Sequence, residues 1–193
     1  MTSARPSLPR LLLVTGMSGA GKSTVLDALE DMGWDCVDNL PTALLDDFVH
    51  GEREARQTMP VAVGMDVRSR GYDPWALPDL LRSIKGVTPE ILYLDCAGSE
   101  LVRRYDETRR RHPLAPDRPP EDGIARERDI TAPLRRLADA VIDTTDLAPA
   151  ELREELLRRY GGDVDTFRLK RLNVLYKILR IGIIRFRFKL PPL

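Results

Sequence analysis

Residues 16–23 read Gly-Met-Ser-Gly-Ala-Gly-Lys-Ser, a complete phosphate-binding loop of the form G-x-x-x-x-G-K-[ST]. An apolar run, 11–14, precedes this loop, and a helical pattern of apolar residues begins just after it, at Val25. The loop therefore stands between a strand and a helix start, which is the context that the motif requires. This stretch predicts an α/β fold of the P-loop NTPase class, with a nucleoside di- or triphosphate as ligand.

Each part of the loop has a chemical reason. Glycines let backbone N–H groups approach phosphate oxygens closely, and the start of the following helix adds a partial positive charge. The amine of Lys22 can reach the β- and γ-phosphates, and the hydroxyl of Ser23 can ligate Mg²⁺. The predicted nucleotide-binding residues of the loop are Gly16, Met17, Ser18, Gly19, Ala20, Gly21, Lys22 and Ser23.

The composition is that of an ordinary globular domain. The chain has 193 residues, of which 42% are hydrophobic and 31% are charged. Cys36 and Cys96 have no metal-like spacing, so we expect reduced thiols and a cytoplasmic protein. Residues 1–9 are predicted to be a flexible N-terminus without a signal peptide, and no membrane-spanning segment is expected.

Strand-length apolar runs alternate with helical patterns along residues 10–162, which we predict to form one nucleotide-binding domain. This alternation predicts a five-stranded parallel sheet with helices on both faces, like the nucleotide kinases. The predicted strands are 11–15, 34–38, 61–66, 91–95 and 140–143, and the predicted helices are 22–32, 41–50, 75–84, 99–108, 124–138 and 149–159.

Four of these strands end in an aspartate, and ligands of open parallel sheets bind beyond the carboxyl ends of the strands. Asp66, which ends an apolar strand, is the predicted Mg²⁺ ligand, and with Lys22 it is one of the predicted catalytic residues. Asp95 is the second choice for the metal ligand. Asp38 and Asn39 are candidates for handling an acceptor or for a switch. Each aspartate could also be only a turn residue that terminates its strand.

The proline- and arginine-rich stretch 109–122 is predicted to be a mobile surface loop. Arg109 and Arg110 at its start could stabilise the charge of a transferred phosphate. They could equally be a basic helix end that complements the helix dipole. His112 receives no role here, since a histidine in a loop is usually solvated.

Several strings of the chain resemble one family, the RapZ-type nucleotide-binding proteins, which are bacterial RNase adaptors. The resemblance covers about residues 10–160. Its most specific parts are C-V-D-N-L-P at 36–41 and T-R-R-x-H-P-L at 108–114, because nothing generic makes these two strings occur together.

The resemblance implies binding of ATP and GTP, with slow hydrolysis of both. It assigns the phosphate loop to residues 16–23 and a second, GTP-associated nucleotide segment to Asp66, Val67, Arg68 and Ser69. Family members carry a second domain. In the enterobacterial case that domain binds small regulatory RNA and an amino-sugar phosphate, and brings an RNase to its target.

From residue 163 onward the sequence no longer matches this family. Residues 163–193 form a basic apolar tail with net charge +6, so the rest of the chain carries −6. The tail could be a truncated or frame-shifted end, which we favour, a partner-binding element, or a segment that binds RNA or an anionic membrane.

The leading functional prediction is a nucleotide-binding regulatory adaptor with weak, Mg²⁺-dependent ATPase and GTPase activity. One alternative is a small-molecule kinase that transfers the γ-phosphate to a metabolite. Another is an RNA-binding module that acts through the tail. An oligomer is possible, although no motif specifies one.

Overall fold

The computed structural model describes residues 9–50 and 59–161. The polar stretch 51–58, nearly all of the predicted N-terminal segment 1–9 and the basic tail 163–193 lie outside the described residues. Among the residues that are described, no helix is long and apolar enough to cross a bilayer.

Five parallel strands form the sheet, as the alternation of patterns predicted. Their order is β2-β3-β1-β4-β5, which places the strand before the phosphate loop at the centre. The strands are β1 (Arg10–Gly16), β2 (Asp35–Asp38), β3 (Val61–Gly64), β4 (Thr88–Asp95) and β5 (Ala140–Asp143).

Six α-helices and one short 3₁₀ turn accompany the strands among the described residues, and the last helix follows β5. The 3₁₀ turn, Thr42–Leu44, leads directly into α2. The helices are α1 (Lys22–Asp31), α2 (Leu45–His50), α3 (Leu77–Ser83), α4 (Gly98–Thr108), α5 (Pro120–Leu137) and α6 (Pro149–Tyr160).

The central strand explains why helices cover both faces. Successive side chains of a strand point to opposite faces. Leu12 and Val14 of β1 pack into a cluster with α1, α4 and α6, whereas Leu11 and Leu13 pack into another with α2 and α3. All four leucine and valine side chains are fully buried. A continuous apolar run is therefore what a strand covered on both faces requires.

Most element boundaries agree with the sequence-based predictions to within two residues, and three differ. The predicted helix 41–50 begins with a 3₁₀ turn instead, and β4 begins at Thr88 because residues 88–90 pair with the start of β1. Helix α5 begins at Pro120, so the predicted loop 109–122 is shortened to 109–119. Proline suits the first turn of a helix, because the N–H that it lacks would have no partner there.

Candidate nucleotide-binding site

The phosphate loop lies between the end of β1 and the start of α1, at the carboxyl edge of the sheet. Gly16, Gly19 and Gly21 have φ angles of 137°, 91° and 99°, a region that favours glycine. A Cβ atom on Gly16 would lie 2.1 Å from the carbonyl oxygen of Leu94 on β4, and the N–H of Met17 donates to that same oxygen at 3.0 Å. The loop is thus fixed against the neighbouring strand.

Lys22, the first residue of α1, forms ion pairs with two of the predicted aspartates. Its Nζ contacts Oδ1 of Asp38 and lies 3.1 Å from Oδ2 of Asp66. The lysine side chain is 11% exposed, that of Asp38 is 41% exposed and that of Asp66 is 1% exposed. The ends of β2 and β3 therefore bring both carboxylates to the phosphate-loop lysine.

Asp66 also accepts a bidentate pair of hydrogen bonds from the guanidinium of Arg68. The Nε atom of Arg68 donates to Oδ1 at 2.9 Å, and Nη2 donates to Oδ2 at 2.6 Å. Burial raises the pKa of Asp66, but the hydrogen bonds from Arg68 and the charge of Lys22 outweigh burial and lower the pKa to about 2. The same pairing raises the pKa of Arg68. Asp66 is thus an anion throughout the physiological range.

In the rest of the predicted second nucleotide segment, Ser69 forms a hydrogen bond with Asn39. Ser69 is 4% exposed, and its hydroxyl donates to Oδ1 of Asn39 at 2.8 Å. Asn39 itself has a φ of 57°. Val67 is partly buried in the turn between Asp66 and Ser69. Of this segment, Asp66 and Arg68 are the residues that line the cavity described next.

Two cavities lie on either side of the phosphate loop, and Gly19 and Gly21 line both. The first cavity, of about 410 Å³, contains the lysine–aspartate cluster and lies beside the arginine-rich segment. The second, of about 590 Å³, lies beside the connection from β5 to α6. Residues of the first include Ser18, Lys22, Ser23, Asp38, Asp66, Arg68, Arg110 and Arg111; residues of the second include Thr24, Arg104, Thr144, Thr145, Asp146 and Pro149.

The arginines at the start of the predicted surface loop, Arg109 to Arg111, have different positions. Arg109 ends α4 with a φ of 52°, and Arg110 lines the first cavity. Arg111 also lines it, and its Nη1 donates to the carbonyl of Pro116 at 3.1 Å. Of the two arginines predicted to act on phosphate, the described structure therefore brings Arg110 to the cavity lining.

Arg104 was missed as a candidate by the sequence reasoning, although it lies between the two cavities and lines both. It donates to the carbonyl of Gly19 at 3.1 Å and to the carbonyl of Thr144 at 2.6 Å. The hydroxyl of Thr144 donates in turn to the carbonyl of Ala20 at 3.0 Å. Arg104 and Thr144 thus support the back of the phosphate loop.

The expectation that His112 is a solvated loop residue is wrong, because the residue is 1% exposed. Its Nε2 lies 3.2 Å from Oε2 of Glu127, a fully buried residue of α5. Glu127 in turn accepts hydrogen bonds from the backbone and hydroxyl of Ser18 in the phosphate loop. No sequence signal indicated Glu127, since a glutamate within a charged helix usually lies at the surface.

The four strand-terminal aspartates separate into two pairs. Asp38 and Asp66 meet at Lys22, as described above. Asp95, the second choice for the metal, accepts hydrogen bonds from Arg128 at 2.8 Å and Arg135 at 2.7 Å. Burial raises its pKa, and the two arginines more than offset this and lower it. Asp143 accepts from the backbone and hydroxyl of Thr145. Asp95 therefore links β4 to α5, and Asp143 stabilises the turn that follows β5.

Comparison with known proteins agrees with this geometry. The model of the RapZ-like N-terminal domain matches residues 10–164. The chain belongs to the RapZ-like family. The resemblance noted from the sequence strings is thus confirmed.

Two relatives are each named simply as a nucleotide-binding protein. One, from Sphingopyxis alaskensis, is 53% identical over 156 residues, which cover 79% of this chain and 49% of the relative. Another, from Novosphingobium aromaticivorans, is 45% identical over 170 residues, covering 85% of this chain and 56% of the relative. This RapZ-like chain spans about half the length of the curated relatives that it matches.

Solved structures with a similar fold include small-molecule kinases. A shikimate kinase from Acinetobacter baumannii has a TM-score of 0.51 at 23% identity, over 80% of this chain and 93% of its own. A gluconokinase from Sinorhizobium meliloti has a TM-score of 0.53 at 19% identity, over 89% and 98%. These similarities show the fold alone, and they confirm the predicted nucleotide-kinase-like α/β class of this RapZ-like domain.

Proposed function

We propose that this domain binds ATP and GTP through the phosphate loop 16–23 and hydrolyses them slowly with Mg²⁺. The observation that carries this proposal is the position of Lys22, which lies at the first cavity between two carboxylates and beside the glycine-rich turn. A helix N-terminus and backbone N–H groups favour anions at this point. The names of the relatives support a nucleotide as the ligand.

The two cavities support an orientation for the nucleotide. Phosphates that lie along Gly19 and Gly21 would present the terminal phosphate to Lys22 in the first cavity. The nucleoside would then extend into the second cavity, where Thr145 and Asp146 offer hydroxyl and carboxylate groups to a sugar or a base. Neither ATP nor GTP is excluded by such general hydrogen-bonding groups, so we propose that both bind.

The oxygen donors in the first cavity fit Mg²⁺. The hydroxyl of Ser23 is exposed at the start of α1, and Asp38 and Asp66 line the same cavity. Both oxygens of Asp66 already accept hydrogen bonds from Arg68, so we expect Asp66 to hold the ion through water, and Ser23 to hold it directly. The ion, when bound, stabilises the negative charge that develops on the phosphates.

Slow turnover follows from the residues around the terminal phosphate. Lys22 and Arg110 can stabilise the charge of a transferred phosphoryl group. A general base needs a pKa near the working pH, and Asp66, with a pKa of about 2, is a weak base. Asp66 would therefore give an attacking water little assistance as a base.

The small-molecule kinase is a second candidate, and one observation favours it. Besides the lysine–aspartate cluster, the first cavity contains Arg68, Arg110 and Arg111, which could bind an anionic acceptor. Asp38 is 41% exposed and could accept the proton of an acceptor hydroxyl. Transfer of label from γ-labelled ATP to a metabolite would distinguish this function from hydrolysis.

The adaptor role in RNA regulation, with an RNase as partner, rests on the family resemblance and on the basic tail. The tail lies outside the described residues, and its charge of +6 is the feature that suits RNA. We propose a cytoplasmic adaptor, consistent with the free thiols of Cys36 and Cys96. This role would be supported if the full chain binds RNA with an affinity that falls steeply as salt is raised. Replacing Arg185 and Arg187 by glutamate should lower that affinity further.

Phosphate release from ATP and from GTP, together with calorimetric affinities, tests the leading proposal. We expect Lys22→Ala to weaken binding of both nucleotides by at least about tenfold, because a charge-assisted contact to phosphate is lost. Lys85→Ala is the matched control, since Lys85 is exposed in the α3–β4 connection. Unchanged affinity of the Lys22 variant would refute the phosphate-loop assignment. Binding without release would instead favour a kinase or a nucleotide sensor.

A further inference from the structure

A buried carboxylate on α5 connects the two segments that line the first cavity. Glu127 is fully buried, and its side chain accepts three hydrogen bonds among the described residues. Two come from Ser18, at 2.9 Å from the backbone N and 2.6 Å from Oγ, and the third comes from Nε2 of His112 at 3.2 Å. A buried carboxylate is costly unless its oxygens accept hydrogen bonds, and here all three donors belong to the phosphate loop or to the arginine-rich segment.

The imidazole of His112 is oriented for this contact. Its Nδ1 accepts a hydrogen bond from the backbone N–H of Leu114 at 3.1 Å, so Nε2 carries the hydrogen that is donated to Glu127. The ring also packs against Tyr105, with 5.1 Å between the ring centroids. These contacts fix both the tautomer and the ring orientation.

Gly123 of helix α5 lies where the imidazole of His112 packs against the helix. A Cβ atom on Gly123 would be 2.2 Å from Nδ1 and 2.5 Å from Cγ of His112. Gly123 precedes Glu127 by four residues, so both lie on the same face of α5. Glycine inside a helix costs about 1 kcal/mol relative to alanine. The glycine thus provides the space that lets His112 reach Glu127.

The network also links two phosphate-binding elements. Ser18 lines the first cavity beside Lys22, and both of its hydrogen-bond donors point to Glu127. Arg110 and Arg111, which also line this cavity, directly precede His112. Both segments therefore bind the same carboxylate, and loss of either contact would leave their separation less restrained.

We propose that Glu127 and His112 are positioning residues of the nucleotide site. They hold the phosphate loop and the segment that bears Arg110 at a fixed separation, so that a terminal phosphate contacts both. This inference rests on the proposed nucleotide binding and deepens it. In the proposed orientation the α- and β-phosphates would contact the loop and not the arginine-bearing segment, so the network would favour nucleoside triphosphates over diphosphates.

The test compares calorimetric affinities for ATP and ADP, in Mg²⁺ buffer, between the full chain and variants of the network. We expect His112→Ala to reduce ATP affinity by about tenfold, the effect of one lost charge-assisted hydrogen bond, and to change ADP affinity much less. His112→Gln keeps an N–H donor near the Nε2 position and should recover part of the loss. Thermal melting of each variant shows whether the fold is retained.

Gly123→Ala provides an independent perturbation, since it displaces the imidazole without removing a polar group. Gly98→Ala is its matched control, because a Cβ there would meet its nearest atom, on Ile124, at an ordinary 3.8 Å. A lower ATP-to-ADP preference in Gly123→Ala, but not in Gly98→Ala, would support the inference even if His112→Ala failed to fold.

Two results would overturn the inference and are distinguishable. A full chain that binds neither ATP nor ADP would refute both the proposed function and the positioning role. The positioning role alone would be refuted if the full chain binds both nucleotides and the folded His112→Ala and Gly123→Ala variants keep its preference for ATP over ADP.

Discussion

Replacing Asp66 by asparagine tests the electrostatic basis of the site. The side chain of Asp66 is 1% exposed, and it faces two cations, the guanidinium of Arg68 and the amine of Lys22 at 3.1 Å. Asparagine has nearly the same shape but carries no charge, and its amide N–H₂ cannot accept a hydrogen bond. The substitution therefore removes the favourable interactions of the carboxylate and leaves two neighbouring cations less compensated.

The size and sign of the effect follow from the pKa of Asp66, which is lowered from 3.8 to about 2. A carboxyl group that is more acidic in the folded state stabilises that state above its unfolded pKa, here by about 2 kcal/mol. This contribution is fully present from about pH 5 upward and is lost as the pH falls through 3.8 toward 2, with about half remaining near pH 3. Asparagine does not titrate, so its variant lacks this dependence.

Urea unfolding of the chain and of Asp66→Asn at several pH values measures this difference. We expect the variant to unfold with a free energy at least about 2 kcal/mol lower at pH 7, and the gap to shrink by about 1 kcal/mol at pH 3. Asp79→Asn is the matched control, since Asp79 is 83% exposed and its ion pair with Arg82 should contribute little. A gap that stays constant or widens toward low pH would refute the assignment of Asp66 as a stabilising buried anion.

Three further changes have expected outcomes. Gly16→Ala should lower the free energy of unfolding by about 3 kcal/mol or more, and the melting temperature with it, because its Cβ would lie 2.1 Å from the backbone oxygen of Leu94. A melting temperature equal to that of the unaltered chain would contradict this tight packing. Thr144→Val should cost about 1–2 kcal/mol in urea unfolding, since the hydroxyl that donates to Ala20 at 3.0 Å is lost. Burial, assisted by nearby carboxylates, raises the pKa of Cys36 to about 12, so iodoacetamide at pH 8 should modify it slowly in the folded chain and rapidly in urea; equal rates would exclude the burial.

The fold was predictable from the sequence because its signals are local. Alternating apolar runs and helical patterns predicted the five parallel strands, and the glycines of the loop identified the strand that precedes it. One boundary that differed, the start of β4, depends on pairing between distant residues. The first residues of β4 look polar in the sequence, and they are a strand because they pair with Arg10–Leu12 of β1.

The candidate site was predictable where a motif or a strand end identifies a residue. Lys22 and Asp66 were both predicted, and the structure brings their side chains to within 3.1 Å of each other. His112 and Glu127 were not predicted, because their contact spans fifteen residues and joins a loop to a helix. A sequence pattern records only neighbours along the chain, whereas this pair is created by the packing of segment 109–119 against α5.

The sequence by itself determined the class of fold, the phosphate loop and the residues at the ends of the strands. These depend on short-range preferences, such as glycine at positive φ and apolar residues in a strand that is covered on both faces. Tertiary structure decided which strand-end aspartates form ion pairs with Lys22. Asp38 and Asp66 lie on the β2–β3 side of the central strand and reach Lys22, while Asp95, on the other side, pairs with Arg128 and Arg135. Ion pairs act over only a few ångströms, so the order of the strands, not the aspartates themselves, selects the partners.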